Sequence, residues 1–182
     1  MRRMKLASML LLVGLVVWGC AGTSGSMVTA PQPPGGVTPP VITTSFAADK
    51  GRHGDPIRIY LAAEQKDGEM EMIAVQVSQV GYGVYPSDWI RLKEGNRARF
   101  VGYLQWNTAR GEFLPEGTRM SINISVLDRR GNESNKVVLP YEFVSGTNSF
   151  SMLPAPFDQA DVPRLGYISI LLRNGIKSEG RR

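Results

Sequence analysis

Most of the chain after residue 55 alternates apolar and polar residues with a period of two. A spacing of two places alternate side chains on the same face, so each run predicts a β-strand with one buried face. No stretch of a dozen residues has the 3.6-residue period of an amphipathic helix. The apolar positions are Ile57, Ile59, Leu61 and Ala63; Ile73, Val75 and Val77; Phe100, Gly102, Leu104 and Trp106; Met120, Ile122, Ile124 and Val126; Val137, Leu139, Tyr141 and Phe143; and, more weakly, Ile168, Ile170 and Leu172.

Turn-forming residues separate these runs. Aspartate and asparagine hydrogen-bond nearby backbone and glycine accepts unusual backbone angles, so clusters of them mark tight turns. Such clusters are Lys66-Asp67-Gly68, Glu94-Gly95-Asn96, Pro115-Glu116-Gly117 and Arg130-Gly131-Asn132. Strands joined by short turns predict an all-β fold, in which two antiparallel sheets pack into a sandwich around one core.

The segment from Ile122 to Asn135 is more specific. It is an alternating strand that ends in Asp128 and is followed by Arg-Arg-Gly-Asn and small polar residues. This pattern resembles the last hairpin of bacterial immunoglobulin-like and fibronectin type III-like domains. Asp128 and Asn132 can hydrogen-bond turn backbone there, and Gly131 accepts positive φ. The resemblance implies a single antiparallel immunoglobulin-like β-sandwich of about seven or eight strands, and it implies little about function.

The N-terminus has the pattern of an export signal. Basic residues near Met1 precede an apolar run, from Leu6 to Trp18, that is short for a membrane-spanning helix. The run ends in Val17-Trp18-Gly19-Cys20, which resembles the lipobox of bacterial lipoproteins. The resemblance implies that residues 1–19 are a cleaved signal peptide and that Cys20 carries acyl chains such as palmitate. An ordinary signal peptide with an incidental cysteine is the alternative.

The lipobox also predicts location. A lipidated Cys20 would attach the protein to a membrane of the cell envelope. Ala21 follows the cysteine in place of aspartate, which by the same resemblance implies the outer membrane if the host is Gram-negative.

Residues 20–44 are rich in proline, glycine and serine, and they lack apolar periodicity. This composition predicts a flexible linker. The alternative is that Val41 to Phe46 already forms a first edge strand. We expect the sandwich to occupy residues 45–173 and a polar tail to follow at residues 174–182.

Charge and cysteine content limit the classes of partner. The formal net charge is +5, but Arg2, Arg3 and Lys5 lie in the leader, and further basic residues lie in the tail. The folded region has no clustered basic face, so nucleic acid is not expected as a partner. Cys20 is the only cysteine, so no disulfide is expected and stability must come from the core.

The residues do not predict catalysis, a metal site or a cofactor. His53 is the only histidine and is expected to be a solvated loop residue, with no second imidazole for zinc and no oriented nucleophile. The acidic residues Asp55, Asp67, Asp128 and Glu133 lack the spacing of a calcium loop. A glycosidase with two carboxylates remains open, but a non-enzymatic protein is the prediction.

Aromatic residues give the candidate binding surface. The segment from Val80 to Trp89 places three rings in a loop with glycine and proline, and Trp106 lies on a later strand. Rings in such a loop can anchor a protein or stack on sugars; the alternative is that they fold back and cap the sandwich. The candidate residues are Tyr82, Tyr85, Trp89 and Trp106.

We therefore predict a structural or protein-binding accessory of the cell envelope, with an envelope protein as partner. A small carbohydrate-binding module that binds polysaccharide is the alternative. The irregular stretch from Pro154 to Val162 is expected to pack over the sandwich and to return Tyr167 to Leu172 as an extra edge strand; the alternative is that this strand joins a partner.

Overall fold

The computed structural model describes residues 38–146 and 152–175. These residues form ten strands and two short 3-10 turns, at Glu94–Asn96 and Thr108–Arg110, and they contain no α-helix. The strands are β1 (Val41–Ala47), β2 (Lys50–Gly51), β3 (Pro56–Glu64), β4 (Met70–Gln79), β5 (Gly83–Val84), β6 (Asp88–Arg91), β7 (Arg99–Asn107), β8 (Arg119–Asp128), β9 (Val137–Phe143) and β10 (Arg164–Ile168).

The strands build two sheets. Sheet A has the order β1-β3-β7-β10, and sheet B has the order β2-β9-β8-β4-β5, with β6 also paired to β4. In an immunoglobulin domain, strands A, B, E and D form one sheet and strands G, F and C form the other. Here β1, β3 and β7 take the places of A, B and E, and β9, β8 and β4 take those of G, F and C. The predicted immunoglobulin-like β-sandwich is confirmed.

Three details differ from the prediction. The sheets are mixed, because β10 runs parallel to β7 and β2 runs parallel to β9. Short hairpins join antiparallel strands, whereas long connections also permit parallel pairing. The alternation of apolar and polar residues is the same in both cases, so it does not predict the direction of a strand. The strand number exceeds eight because β2, β5 and β6 are too short to show alternation. The last strand is Arg164–Ile168 rather than Tyr167 to Leu172, and residues 169–173 are not paired with another strand.

The first strand begins at Val41, ahead of the expected boundary at residue 45. The alternative in which Val41 to Phe46 forms an edge strand is therefore the one observed. Asn135, just ahead of β9, binds this edge: its Oδ1 accepts from Ile42 N at 2.8 Å, and its Nδ2 donates to Ile42 O at 3.1 Å. The side-chain amide of Asn135 thus pairs with both the backbone N–H and the backbone C=O of Ile42, which lies on an edge strand.

The main core lies between the two sheets. The inward residues of every predicted run contribute to it, among them Ile59, Leu61, Ile73, Val75 and Ile122. A smaller cluster lies on the outer side of sheet A, where Phe157 packs against Tyr60 and Ala62. The stretch after Pro154 therefore packs over the sandwich as predicted, and it leads the chain to β10 at the edge of sheet A.

In the hairpin between β8 and β9, Asp128 and Gly131 behave as predicted, whereas the Asn132 side chain bonds the Asp128 carboxylate rather than turn backbone. Asp128 Oδ1 accepts from the backbone N of Arg130 and of Asn132, each at 2.9 Å. Asp128 Oδ2 accepts from Gln65 Nε2 at 3.0 Å and from Asn132 Nδ2 at 2.9 Å. Gly131 has φ of 82°. Burial raises the pKa of Asp128, but these hydrogen bonds outweigh it and the pKa is lowered overall.

The leader, Cys20 and the linker up to residue 37 lie outside the described residues, as do residues 176–182 of the tail. Within the described part of the chain, no helix is long and apolar enough to cross a membrane.

Candidate binding face

The four candidate aromatic residues occupy three different places. Trp89 is 53% exposed and Tyr82 is 42% exposed, whereas Tyr85 and Trp106 are buried. The structure does not bring the four rings together on one surface.

Trp106 belongs to the core, so its assignment to a binding surface is wrong. Its side chain is fully buried on the inner face of β7, and its Nε1 donates to Ile170 O at 2.9 Å. The signal was present in the sequence, because Trp106 continues the inward alternation of Phe100, Gly102 and Leu104.

Tyr85 and Tyr82 form a stacked pair at one edge of the sandwich. Their ring centroids are 4.5 Å apart with an interplanar angle of 20°. The Tyr85 hydroxyl donates to Gln79 Oε1 at 2.6 Å and accepts from Arg173 N at 2.9 Å. Burial is the main cause of the raised pKa of Tyr85. Tyr85 therefore folds back against the end of the sandwich, which was the alternative to a binding surface. The ring of Tyr82 stacks on the solvent side of Tyr85.

Trp89 lies on the outer face of sheet B. Its neighbour Ile90 points into the core, so alternation along β6 directs Trp89 outward. Trp89 pairs across the sheet with Ala74, and Ala74 pairs with Ser125. These small side chains leave room beside the indole for a shallow groove of about 280 Å³.

The face around Trp89 is largely neutral and polar. Its central positions on β4 and β8 carry only small side chains, amides and hydroxyls, and Val138 on β9 is 60% exposed across the groove. The residues of this Trp89 face are Ala74, Gln76, Ser87, Trp89, Asn123, Ser125 and Val138, with Glu133 and Lys136 at its border.

The charges at the border neutralise each other. Lys136 Nζ lies 3.4 Å from Glu133 Oε1, which also accepts from Ser125 Oγ at 2.7 Å. A face without unpaired charge at its centre is typical of protein-binding surfaces. Gln76 and Val138 were not among the predicted surface residues, although alternation along β4 and β9 places both side chains outward.

His53 is more constrained than a solvated loop histidine. It is half-buried, and its ring lies edge-on to Phe113 and Phe143 at centroid distances of 5.2 Å. Its Nε2 lies 3.1 Å from Glu112 O, a carbonyl oxygen that can only accept, so Nε2 is the donor of this contact. Among residues 38–146 and 152–175, no group of three or more His, Cys, Asp or Glu side chains is arranged to hold a metal.

Comparison with known proteins gives a structural likeness. No protein-family model matches the chain, and no curated protein matches it. A solved structure that resembles it is the CARDB domain of a Pyrococcus furiosus protein in complex with di-metal ions, with a TM-score of 0.34 and 14% sequence identity. The match covers 59% of this chain and 90% of that one.

Proposed function

We propose that this protein is a lipid-anchored, non-enzymatic accessory of a bacterial cell envelope that presents its Trp89 face to an envelope protein. In a Gram-negative host the anchor would lie in the outer membrane. The exposed indole of Trp89, on a sheet face whose border charges Glu133 and Lys136 pair with each other, is the observation that carries the binding role. The lipobox-like Val17 to Cys20 supports the anchor.

The anchor and the linker suit this role physically. Each buried methylene contributes about 0.8 kcal/mol, so two or three acyl chains hold a protein firmly where one holds it marginally. The predicted flexible linker, roughly 20 residues between Cys20 and β1, would span on the order of 25 Å. The domain would therefore reach partners above the membrane surface. Mass spectrometry of the native protein should find acylated Cys20 at the N-terminus; an unmodified thiol would contradict the anchor.

The chemistry of the Trp89 face favours a protein partner. Tryptophan is enriched at the energetic centres of interfaces, because it contributes a large contact area with little rotamer entropy. Amides and hydroxyls such as those of Gln76 and Asn123 can pair with backbone groups of a partner. Val138 supplies apolar area on the opposite wall.

Site-specific photo-crosslinking in intact cells tests this role. A crosslinking residue at Val138 should give a discrete protein adduct, and the same residue at Glu64, exposed on sheet A, should not. Trp89→Ala should remove the adduct while leaving the folded domain intact. Identical products from both positions, or an adduct insensitive to Trp89→Ala, would contradict the proposal.

Binding of a neutral polysaccharide is the second candidate. An exposed indole beside the amides of Gln76 and Asn123 offers a stacking surface together with hydrogen-bond donors and acceptors. Under this alternative, polysaccharide would change the tryptophan fluorescence of the protein, Trp89→Ala would abolish the change, and crosslinking at Val138 would give no discrete protein adduct.

A further inference from the structure

A second surface lies on the outer face of sheet A, beside the part that Phe157 covers. Side chains on the neighbouring strands β3, β7 and β10 point outward there, because the adjacent Ile57, Leu104 and Ile168 point into the core. The residues of this Arg–Tyr face are Arg58, Tyr103, Gln105, Arg164 and Tyr167.

Strand pairing brings the five side chains together. Arg58 on β3 pairs with Gln105 on β7, and Gln105 pairs with Tyr167 on β10. Tyr103, two residues ahead of Gln105, pairs with Arg164. Neighbouring strands lie about 4.8 Å apart and alternate residues about 6.7 Å apart, so the five backbone positions fall within a patch of roughly 10 by 7 Å.

Each guanidinium of this face lies against a tyrosine ring. Arg58 Cζ is 5.3 Å from the ring centroid of Tyr103, and Arg164 Cζ is 4.2 Å from that of Tyr167. Such cation–π contacts restrain the arginine side chains and leave N–H groups at the edges of the guanidiniums to donate. Donors that are already restrained lose less conformational entropy when a ligand binds.

The two arginines are not neutralised by the rest of the fold. Within residues 38–146 and 152–175, neither Arg58 nor Arg164 makes an ion pair or a side-chain hydrogen bond. An aspartate lies three residues from each in sequence, but Asp55 pairs with Arg52 at 3.3 Å, and Asp161 makes no ion pair with a described residue. The face therefore keeps two positive charges for a partner.

The other polar groups of the face also suit an anion. The amide of Gln105 and the hydroxyls of Tyr103 and Tyr167 have no hydrogen-bond partner among the described residues, and all three groups can donate. A guanidinium matches the geometry of a carboxylate, because two parallel N–H groups can bond its two oxygens. The face is thus complementary in charge and in hydrogen bonding to a partner that carries two carboxylates.

The residue types favour a protein partner over a lipid surface. Arginine and tyrosine are both enriched at protein interfaces and at their energetic centres. Binding to a lipid surface depends on apolar side chains that enter the acyl region. The rings of Tyr103 and Tyr167 instead lie against guanidiniums. Aspartate and glutamate side chains of a partner supply the matching carboxylates.

We propose that the Arg–Tyr face binds an acidic segment of a protein, with one carboxylate on Arg58 and another on Arg164. The face lies on the sheet opposite to the Trp89 face, shares no residue with it and does not depend on the function proposed for it. Glu64 is six residues from Arg58 along β3, about 20 Å away, so a crosslinker at Glu64 lies outside this face.

Fluorescence polarisation with the purified full-length protein tests the face. The probe is a labelled heptapeptide of alternating threonine and glutamate, and the same peptide with glutamine in place of glutamate should not bind. Arg58→Gln and Arg164→Gln should each weaken binding of the glutamate peptide about fivefold, with an unchanged melting temperature, because both side chains are exposed. Changing both arginines to lysine keeps the charge but loses the planar fork, so binding should again weaken.

The matched control removes the same charge from exposed arginines outside the face. Arg110→Gln combined with Arg119→Gln should leave the affinity within about twofold of that of the natural protein. The proposal is overturned if this control loses as much affinity as Arg58→Gln with Arg164→Gln, or if the lysine variant binds as tightly as the natural protein. It is also overturned if phosphatidylglycerol vesicles or polygalacturonate displace the probe at lower concentration than the unlabelled peptide does, since the ligand is then a lipid surface or an acidic polysaccharide.

Discussion

Trp106 and Trp89 lie on strands of opposite sheets and have opposite environments. Trp106 is fully buried with its indole nitrogen hydrogen-bonded, while Trp89 is 53% exposed on a face of small polar residues. Burial and hydrogen bonding make the first a source of stability. The second gains little from folding, so its exposed ring is available for binding.

The largest expected effect is at Trp106. Trp106→Ala removes a fully buried ring and should lower the free energy of unfolding by about 3 to 5 kcal/mol. Trp106→Phe keeps an aromatic ring but leaves Ile170 O without its donor, and it should cost about 1 to 3 kcal/mol. Urea denaturation measures both. Equal stability of all three proteins would show that Trp106 is not a core residue.

Acid should weaken the hairpin that borders the Trp89 face. Folding lowers the pKa of Asp128, so its stabilisation is complete above the unfolded value of about 3.9 and is lost as pH falls through the folded value. Asp128→Asn places an amide against two donors, Gln65 Nε2 and Asn132 Nδ2, and should cost about 1.5 to 3 kcal/mol at pH 7.

Denaturation at several pH values measures this difference. The gap in stability between the natural protein and Asp128→Asn should shrink as the pH is lowered. A gap that stayed constant from neutral to acidic pH would contradict the role of the ionised carboxylate.

Close packing of β10 should give a smaller effect. A Cβ at Gly102 would lie 2.6 Å from Leu165 Cγ and 2.8 Å from Pro163 O. Gly102→Ala should therefore push β10 away from β7 and cost about 1 to 3 kcal/mol. Gly95→Ala is the control, because no atom lies within 4 Å of its added Cβ. Hydrogen exchange should show faster exchange in β10 for Gly102→Ala only.

Trp89→Ala should have the smallest effect on stability, within about 0.5 kcal/mol, because the ring is exposed. The same substitution should abolish binding at the Trp89 face. Urea denaturation and crosslinking from Val138 measure the two effects separately. A large loss of stability would show that Trp89 supports the sheet rather than a partner.

Alternation and turn chemistry predicted the fold well. The inward residues of β3, β4, β7, β8 and β9 follow the predicted runs, and Asp128 makes the predicted bonds to turn backbone. These features depend on residues close in sequence, so the sequence pattern alone contains them.

The candidate sites were harder to predict because they depend on contacts between distant segments. Trp89 faces outward because β6 pairs with β4, which its four residues do not reveal. Tyr141 fits the inward alternation of β9, but the close approach of its hydroxyl to Gly51 depends on β2, ninety positions earlier along the chain, pairing with the end of β9. Parallel strands that lie far apart in the chain leave no short, regular residue spacing in the sequence from which their pairing could be predicted.

The amide of Asn135 has a mechanical consequence. Tension applied to the chain ahead of residue 38 would first load the bonds of Thr38 to Gln65 and Asp67 and then β1, whose ladder partner is β3 in sheet A. The two bonds between Asn135 and Ile42 connect the same strand to the hairpin of sheet B. Both sheets therefore resist a force that pulls on β1. Detaching β1 from β3 requires that the two hydrogen bonds between Ile42 and Asn135 break as well.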